Sequence, residues 1–163
     1  MANGTQIQSF PMTVAGKSML NEELKRLTSI ERPAVIKAIE EARAHGDLSE
    51  NAEYAAAKEK QSFIEGRIQE INSKLAFAQV IDPTTIKSDK IVFGATVVLT
   101  DQEASKEVSY KIVGTDESDV KQNKISVTSP LARALIGKKA GDEVVVHAPK
   151  GKILYDVVAV RYE

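Results

Sequence analysis

The chain contains no cysteine and no tryptophan, and only 5% of its residues are aromatic. The absence of cysteine excludes disulfide bonds, thiolate metal sites and thiol nucleophiles. So few aromatic side chains disfavour a protein that binds nucleic acid by extensive stacking on bases. With 22 basic and 23 acidic residues the net charge is −1, which also disfavours a strongly basic nucleic-acid binder.

Long hydrophobic runs are missing as well. No apolar run reaches the roughly 20 residues that a membrane span requires. Residues 1–11 lack the basic and apolar segments of a secretory signal, so we expect a cytoplasmic protein with no membrane partner. Hydrophobic residues make up 42% of the 163 positions and charged residues 28%, which is typical of a folded chain.

The first half of the chain shows the periodicity of an α-helix. Apolar residues recur three or four positions apart, with one longer step of eight, in the series Leu20, Leu24, Leu27, Val35, Ile39 and Ala42. Thr13 is a suitable N-cap for this helix. Pro33 lies within the long step and lacks a helical N–H, so a break or kink is predicted there. Ser29 or Glu31 is expected to begin the second segment.

A second, longer helix is predicted over residues 51–78. Its mainly apolar seam recurs at alternating steps of three and four, in the series Tyr54, Ala57, Gln61, Ile64, Ile68, Ile71, Leu75 and Ala78. Between the two helical segments, Gly46 fits the left-handed conformation that commonly ends a helix. Two helical arms joined by a short turn favour an antiparallel coiled-coil hairpin.

The second half changes to the alternating pattern of β-strands. Strands are predicted around residues 95–99, 108–112, 125–127, 143–147 and 153–162. One short helix is indicated by Ser129 as N-cap, Pro130 as first residue and Gly137 at the end. Residues 82–89 have the composition of a linker. The predicted fold is α plus α+β, with a coiled-coil hairpin domain over residues 1–82 and a sheet domain over 83–163.

Two carboxylates occupy the predicted turn of the hairpin. Asp47 and Glu50 have the spacing of a capping box, in which the first acid accepts from the helix and the second reaches back. The alternative is that both are ligands of a hard cation such as Mg²⁺, which often binds only one or two protein carboxylates. Two carboxylates make half a metal site, so the second interpretation requires another macromolecule to supply the remaining ligands.

The residues around this turn resemble the tip signature of bacterial Gre transcript-cleavage factors. The matching segment is residues 46–54, Gly-Asp-Leu-Ser-Glu-Asn-Ala-Glu-Tyr, followed by Ala56, Ala57 and Lys58. Further matches lie at residues 11–13, 32–33, 65–68, 78–82, 93–97, 110–114, 125–127 and 129–133. The resemblance extends over nearly the whole chain from Phe10 onward, and the GreA type fits better than the GreB type.

This resemblance implies a function and a partner. Gre factors bind RNA polymerase and insert their coiled coil into its secondary channel, where the 3′ end of a backtracked RNA lies. By position, Asp47 and Glu50 would act in trans in the polymerase active site and hold a Mg²⁺ ion there, with Asn51 in support. The polymerase would then cleave its own transcript, so the protein would not itself be an enzyme. The cation would be shared with the polymerase, and none would be tightly bound in the free protein.

Two cations near the turn match a basic patch that contacts the extruded RNA in this family. They are Arg43, just before the turn, and Lys58, two helical turns after it. Positive charge near a phosphate backbone is physically reasonable. The alternative is an ordinary solvated helix face, since acidic residues surround both positions. The patch is sparse, so weaker contact with long extruded RNA is expected than in a more basic relative.

The sheet domain resembles the FKBP-like domain of Gre factors, which docks on a coiled coil at the rim of the polymerase's largest subunit. Ser129, Pro130 and Leu131 match the docking segment, although they also have the pattern of a helix start. One rival is an inhibitor built on the same scaffold. Another is an independent prolyl isomerase, which the small set of aromatics disfavours: Phe93, Tyr110, Tyr155 and Tyr162.

Overall fold

The computed structural model describes residues 9–47 and 51–163, and within them two separate units. Residues 18–77 belong to the first unit, which we call the hairpin unit. Residues 9–17 and 78–163 form the second, which we call the sheet unit. The sequence predicts a domain boundary after residue 82. In the structure, the contacts of residues 9–17 and 78–82 place both segments in the sheet unit.

The first arm of the hairpin is one helical path with a change of hydrogen-bonding pattern in its middle. It comprises α1 (Val14–Arg26), a π-helical turn (Leu27–Glu31) and α2 (Arg32–Arg43). The side-chain oxygen of Thr13 accepts a 3.1 Å hydrogen bond from the N–H of Gly16, which confirms Thr13 as the N-cap of α1.

The π-helical turn explains the step of eight residues in the apolar pattern. The N–H of Arg32 donates to the carbonyl of Leu27, five residues back, so one extra residue is accommodated without turning the apolar face away. The break or kink predicted at Pro33 is therefore replaced by a π-helical turn. Pro33 lies in the first turn of α2, where a missing N–H is tolerated, and Glu31 directly precedes that helix.

The second arm is α3 (Ala52–Ala76), which packs against α2. Its buried residues are members of the predicted seam: Ala57, Ile64, Ile68 and Ile71. The hairpin is thereby confirmed. The helix ends earlier than predicted, because Ala78 belongs to a strand, β2 (Ala78–Ile81).

A small parallel sheet, absent from the sequence prediction, lies in the sheet unit. Strand β1 (Phe10–Thr13) pairs in parallel with β2, and Met12 is opposite Val80. Four residues are too few to establish an alternating pattern, and the pairing depends on segments far apart in the chain.

The main sheet of this unit is mixed and has five strands. These are β3 (Thr96–Asp101), β4 (Lys106–Val113), β5 (Lys124–Ser126), β6 (Glu143–Ala148) and β7 (Gly151–Arg161). Their order is β5-β4-β3-β7-β6, with β4 and β5 parallel and the other pairs antiparallel. All five predicted strands are confirmed.

One short helix, α4 (Pro130–Leu135), packs on this sheet and completes its core. The core consists mostly of aliphatic side chains, as the composition predicts; its fully buried members include Ile91, Val97, Leu99, Ile112 and Leu135. In the described part of the chain, none of the helices has the length and apolar character needed to cross a membrane.

Candidate functional site

The tip of the hairpin is built from the end of α2, a turn and the start of α3. Gly46 has a φ of +106°, the left-handed conformation predicted for the end of the first arm. The N–H of Gly46 donates to the carbonyl of Arg43 at 3.4 Å, which closes the last turn. Asp47 follows in an exposed position. Glu50, with residues 48 and 49, lies outside the described residues, so its predicted role stays a prediction.

Asn51 organises the described part of the tip. Its side-chain oxygen accepts a 3.0 Å hydrogen bond from the N–H of Tyr54, which makes it the N-cap of α3. Its side-chain nitrogen donates a 2.7 Å hydrogen bond to the carbonyl of Ala42 in α2. One side chain therefore caps the second arm and adds a hydrogen bond to a carbonyl near the end of the first, which also accepts from the N–H of His45.

This geometry assigns the N-cap of α3 to Asn51 and not to Asp47. A capping box with Asp47 as N-cap requires the helix to begin at the next residue, whereas α3 begins at Ala52. Asparagine is itself among the preferred N-cap residues, so the sequence carried a signal at position 51 that the acidic spacing obscured. The capping-box interpretation of Asp47 with Glu50 includes residues outside the described ones and stays a prediction.

The two predicted RNA-binding cations are both exposed. The guanidinium carbon of Arg43 lies 6.0 Å from the ring centroid of Tyr54, within the range of a cation–π contact. The ammonium nitrogen of Lys58 lies 3.2 Å from the side-chain oxygen of Gln61. The structure thus brings Arg43 to the first turn of α3, close to Asn51, and places Lys58 farther along the same helix.

Two bidentate ion pairs hold the arms together below the tip. Arg32 binds both carboxylate oxygens of Glu65 at 2.7 and 2.9 Å, and Arg67 binds both of Glu23 at 2.7 and 2.8 Å. The hydrogen bonds from Arg67 lower the pKa of Glu23, and those from Arg32 lower the pKa of Glu65. These contacts fix the pairing of the two arms that carry the tip.

No complete cation site exists within the part of the chain that the structure describes. Across residues 9–47 and 51–163, no three carboxylate or imidazole side chains are grouped as metal ligands. The chemistry of the exposed Asp47 side chain fits Mg²⁺, which prefers oxygen ligands.

The predicted docking segment lies at the start of α4 in the sheet unit. The hydroxyl oxygen of Ser129 accepts a 3.2 Å hydrogen bond from the N–H of Ala132 and caps the helix, as predicted. Pro130 is exposed, whereas Leu131 is half-buried and packs against the core. A shallow groove next to Ser129 is bordered by Val120, whose exposed fraction is 89%.

The aromatic residues of the sheet unit do not form an isomerase-like pocket in this groove. Tyr155 is buried in the core, while Tyr110 and Tyr162 pack against the core. None of the side chains bordering the groove is aromatic.

Comparison with known proteins gives matches over both units. Residues 10–80 match the family described as "Transcription elongation factor, N-terminal", and residues 86–162 match "Transcription elongation factor, GreA/GreB, C-term". The chain is 60% identical over 153 residues to transcription elongation factor GreA of Alkalilimnicola ehrlichii, covering 93% of this chain and 97% of that protein. It is 60% identical over 158 residues to GreA of Halorhodospira halophila, covering 96% of this chain and 100% of that protein.

Solved structures of related factors are also similar to the chain. The crystal structure of GreA factor homolog 1 of Thermus thermophilus is 28% identical, with a TM-score of 0.44, and the alignment covers 94% of this chain and 99% of that one.

Proposed function

Because the chain belongs to the GreA/GreB family of transcription elongation factors, we propose that it binds RNA polymerase and stimulates cleavage of the transcript in backtracked or arrested complexes. The hairpin enters the secondary channel, and the polymerase's own active site performs the endonucleolytic cut. The protein is a factor for that reaction and not an enzyme in isolation. Its place of action is the cytoplasm, where the polymerase works on DNA.

The observation that supports this proposal most is that Asn51 and Asp47 have different roles at the hairpin tip. Asn51 caps α3 and bonds to the carbonyl of Ala42, so Asp47 is not the cap of that helix. An exposed carboxylate at the end of a long hairpin, with a second acid three residues later, is a suitable donor set for a cation outside this protein. Asn51 supports this pair by fixing the backbone on its carboxyl-terminal side.

Asp47 and Glu50 are the residues that would hold Mg²⁺ together with ligands of the polymerase. When bound, the cation supplies positive charge against the phosphodiester oxygens at which negative charge develops. The chain's own contribution is to bring two carboxylates to the scissile bond on a rigid support, since preorganised geometry is a large part of catalysis. The arms supply that rigidity through their buried seam and two bidentate ion pairs.

Arg43 and Lys58 would contact the phosphates of the extruded RNA 3′ end. Both are exposed and lie on arms that converge on the tip. The cation–π contact with Tyr54 orients Arg43 without neutralising its charge, so the guanidinium keeps its attraction for phosphate.

Docking on the rim coiled coil of the largest subunit would use the start of α4. Pro130 is exposed there, and Ser129 forms part of the wall of the adjacent groove. Leu131 contributes less surface than the sequence suggests, because it also packs against the core. Its main effect on docking is to hold the first turn of α4 in place.

Cleavage of a stalled, backtracked elongation complex tests this function directly. The wild-type protein should accelerate shortening of a 5′-labelled transcript, and Asp47→Asn with Glu50→Gln should nearly abolish that acceleration while polymerase binding persists. Glu53→Gln is a matched control, because Glu53 is an exposed acid in the first turn of α3. Full activity of the double variant would contradict the proposal. A wild-type protein that binds and slows the polymerase would instead favour an inhibitor on the same scaffold.

A further inference from the structure

The sheet unit contains a buried carboxylate that the proposed chemistry does not use. Glu117 ends a short 3₁₀ turn (Thr115–Glu117), and only 7% of its surface is exposed. Burying a charged group is costly unless it is well hydrogen-bonded, so the contacts of Glu117 require an explanation. Nothing in the local sequence, Gly-Thr-Asp-Glu-Ser, distinguishes this residue from an ordinary solvated acid.

The contacts of Glu117 lead to the start of the first helical arm. Its Oε2 accepts hydrogen bonds from the N–H of Thr13 at 2.9 Å and from the N–H of Gly114 at 3.1 Å. Its Oε1 accepts a hydrogen bond from the hydroxyl of Thr13, which is 3% exposed. Thr13 and Glu117 are 104 residues apart in the chain and belong to the same unit. All three donors are polar groups of the protein, so the carboxylate is satisfied without a cation.

Thr13 links this carboxylate to the helix itself. The hydroxyl oxygen of Thr13 accepts the N–H of Gly16 as the N-cap of α1 and at the same time donates to Glu117. Glu117 therefore holds the capping side chain in the one orientation that starts the helix. A carboxylate is also favoured at a helix N-terminus by the backbone dipoles.

Two glycines leave the space that this arrangement needs. A Cβ at Gly16 would lie 2.1 Å from the carboxyl carbon of Glu117, so only glycine lets the first turn of α1 lie against the carboxylate. A Cβ at Gly114 would lie 2.6 Å from the carbonyl oxygen of Pro11, so the loop before Glu117 also approaches β1 too closely for any other residue. Both the first turn of α1 and the loop before Glu117 therefore need a glycine for this close approach.

We propose that Glu117 is a positioning residue for transcript cleavage, because it fastens the first turn of α1 to the sheet unit. This inference rests on the proposed function. The arm that carries Asp47 begins at this fastened turn, while the docking segment at Ser129 and Pro130 belongs to the sheet unit. Loss of the carboxylate would leave docking intact and would let the start of the arm move, so the acidic tip would occupy its productive position for less of the time. Misplacement of reacting groups by about 1 Å can cost on the order of a hundredfold in rate.

The first experiment measures the fastening without the polymerase. The chain has no cysteine, so Lys17→Cys and Lys106→Cys accept two spin labels at exposed positions of the sheet unit. The expected distance distribution is narrow in the parent and at least about twofold broader after Glu117→Ala, because three hydrogen bonds to the carboxylate are lost. An unchanged distribution in Glu117→Ala would overturn the fastening role.

The second experiment separates positioning from docking in the cleavage reaction. Glu117→Ala should lower the maximal cleavage rate about tenfold or more, with less than about a twofold change in the concentration of protein that gives half the maximal rate. Glu117→Gln, which keeps the shape and an acceptor oxygen, should recover part of the rate. Equal loss of rate and affinity, or no loss of rate, would contradict a positioning role.

A glycine variant tests the contact between Glu117 and the first turn of α1 independently, in case a Glu117 variant fails to fold. Gly16→Ala places a methyl group where the carboxylate lies, so it should displace an intact Glu117 and reproduce the loss of rate. In a Glu117→Ala background the same change should have little further effect, because the obstructing side chain is gone. Gly66→Ala is the control, since a Cβ at that helical glycine meets nothing within 4 Å. Additive losses from Gly16→Ala and Glu117→Ala would count against the proposal.

The outcomes distinguish this inference from the proposed function. If the wild-type protein does not stimulate cleavage, the proposed function is contradicted. The spin-label experiment then still shows whether Glu117 fastens the first turn of α1. If the wild-type protein stimulates cleavage and the Glu117 and Gly16 variants do so equally well, only the positioning role fails.

Discussion

The side-chain nitrogen of Asn51 lies 2.7 Å from the carbonyl oxygen of Ala42, and this hydrogen bond joins the start of the second hairpin arm to the end of the first. The same side chain caps α3 through its oxygen. The family resemblance implies a supporting role for Asn51 in catalysis. Its two hydrogen bonds would give that support by holding the backbone of the tip in place. The predicted catalytic role itself stays a prediction.

Replacement of Asn51 by alanine should therefore destabilise the hairpin. The change removes an N-cap and a cross-arm hydrogen bond, each worth about 1 kcal/mol, so we expect the free energy of unfolding to fall by about 2 kcal/mol. Asn51→Asp is the matched control, since it keeps the cap and loses the donor to Ala42. Chemical denaturation followed by circular dichroism measures both, and an Asn51→Ala variant as stable as the parent would refute the bridging role.

Asp47→Asn should cost less stability than the loss of a helix cap. Because α3 is capped at Asn51, the change removes no cap of that helix, and we expect a loss smaller than the about 1 kcal/mol that a lost cap costs. The cleavage assay should respond strongly to the same change. A loss of about 1 kcal/mol or more in the denaturation experiment would support the capping-box interpretation of Asp47 and Glu50.

Reversal of the two tip cations tests the RNA contact. Arg43→Glu with Lys58→Glu should weaken capture of the extruded 3′ end more than it weakens polymerase binding, and the defect should ease at low salt. Lys37→Glu is a suitable control, because Lys37 is an exposed cation on the same arm. Cleavage that is insensitive to both the double reversal and the salt concentration would identify Arg43 and Lys58 as ordinary surface charge.

Acid should weaken the pairing of the hairpin arms. The hydrogen bonds from Arg67 hold the pKa of the Glu23 carboxyl below the ordinary value of a glutamate in the folded state. Stability from this pair is thus present above the unfolded-state pKa and is lost as the pH falls through the lower folded-state pKa. Denaturation at several pH values between about 6 and 3 should show this loss, and Arg67→Gln should flatten the profile. An unchanged slope in Arg67→Gln would contradict the assignment to this pair.

The docking segment is best tested at Pro130. Glutamate at Leu131 would disturb the core, since that side chain packs against it, whereas Pro130 is exposed and an acid is tolerated in the first turn of a helix. Pro130→Glu should reduce polymerase affinity about tenfold, because a charge would be placed in the contact. Ala104→Glu adds the same charge at another exposed position of the sheet unit. Equal affinity of the two variants in a pull-down titration would argue against docking at α4.

Patterns within short stretches of sequence determined the hairpin arms, the five strands of the main sheet and the short helix capped by Ser129. Each of these follows from hydrophobic periodicity or a local cap, which involve neighbouring residues only. The step of eight residues in the apolar pattern of the first arm also indicated the extra residue that the π-helical turn accommodates. The chemistry of Pro33 alone predicted a break there.

Tertiary structure decided the features that join distant parts of the chain. Strand β1 is defined by its pairing with β2, the two ends of the hairpin turn are joined by the amide of Asn51, and the capping side chain of Thr13 is held by a carboxylate 104 residues away. No local pattern indicates such contacts, because an isolated acid or a four-residue strand has the same sequence signature whether it is buried or solvated. Only the folded chain brings Glu117 to Thr13, and burial there makes each lost hydrogen bond more costly than it would be in water.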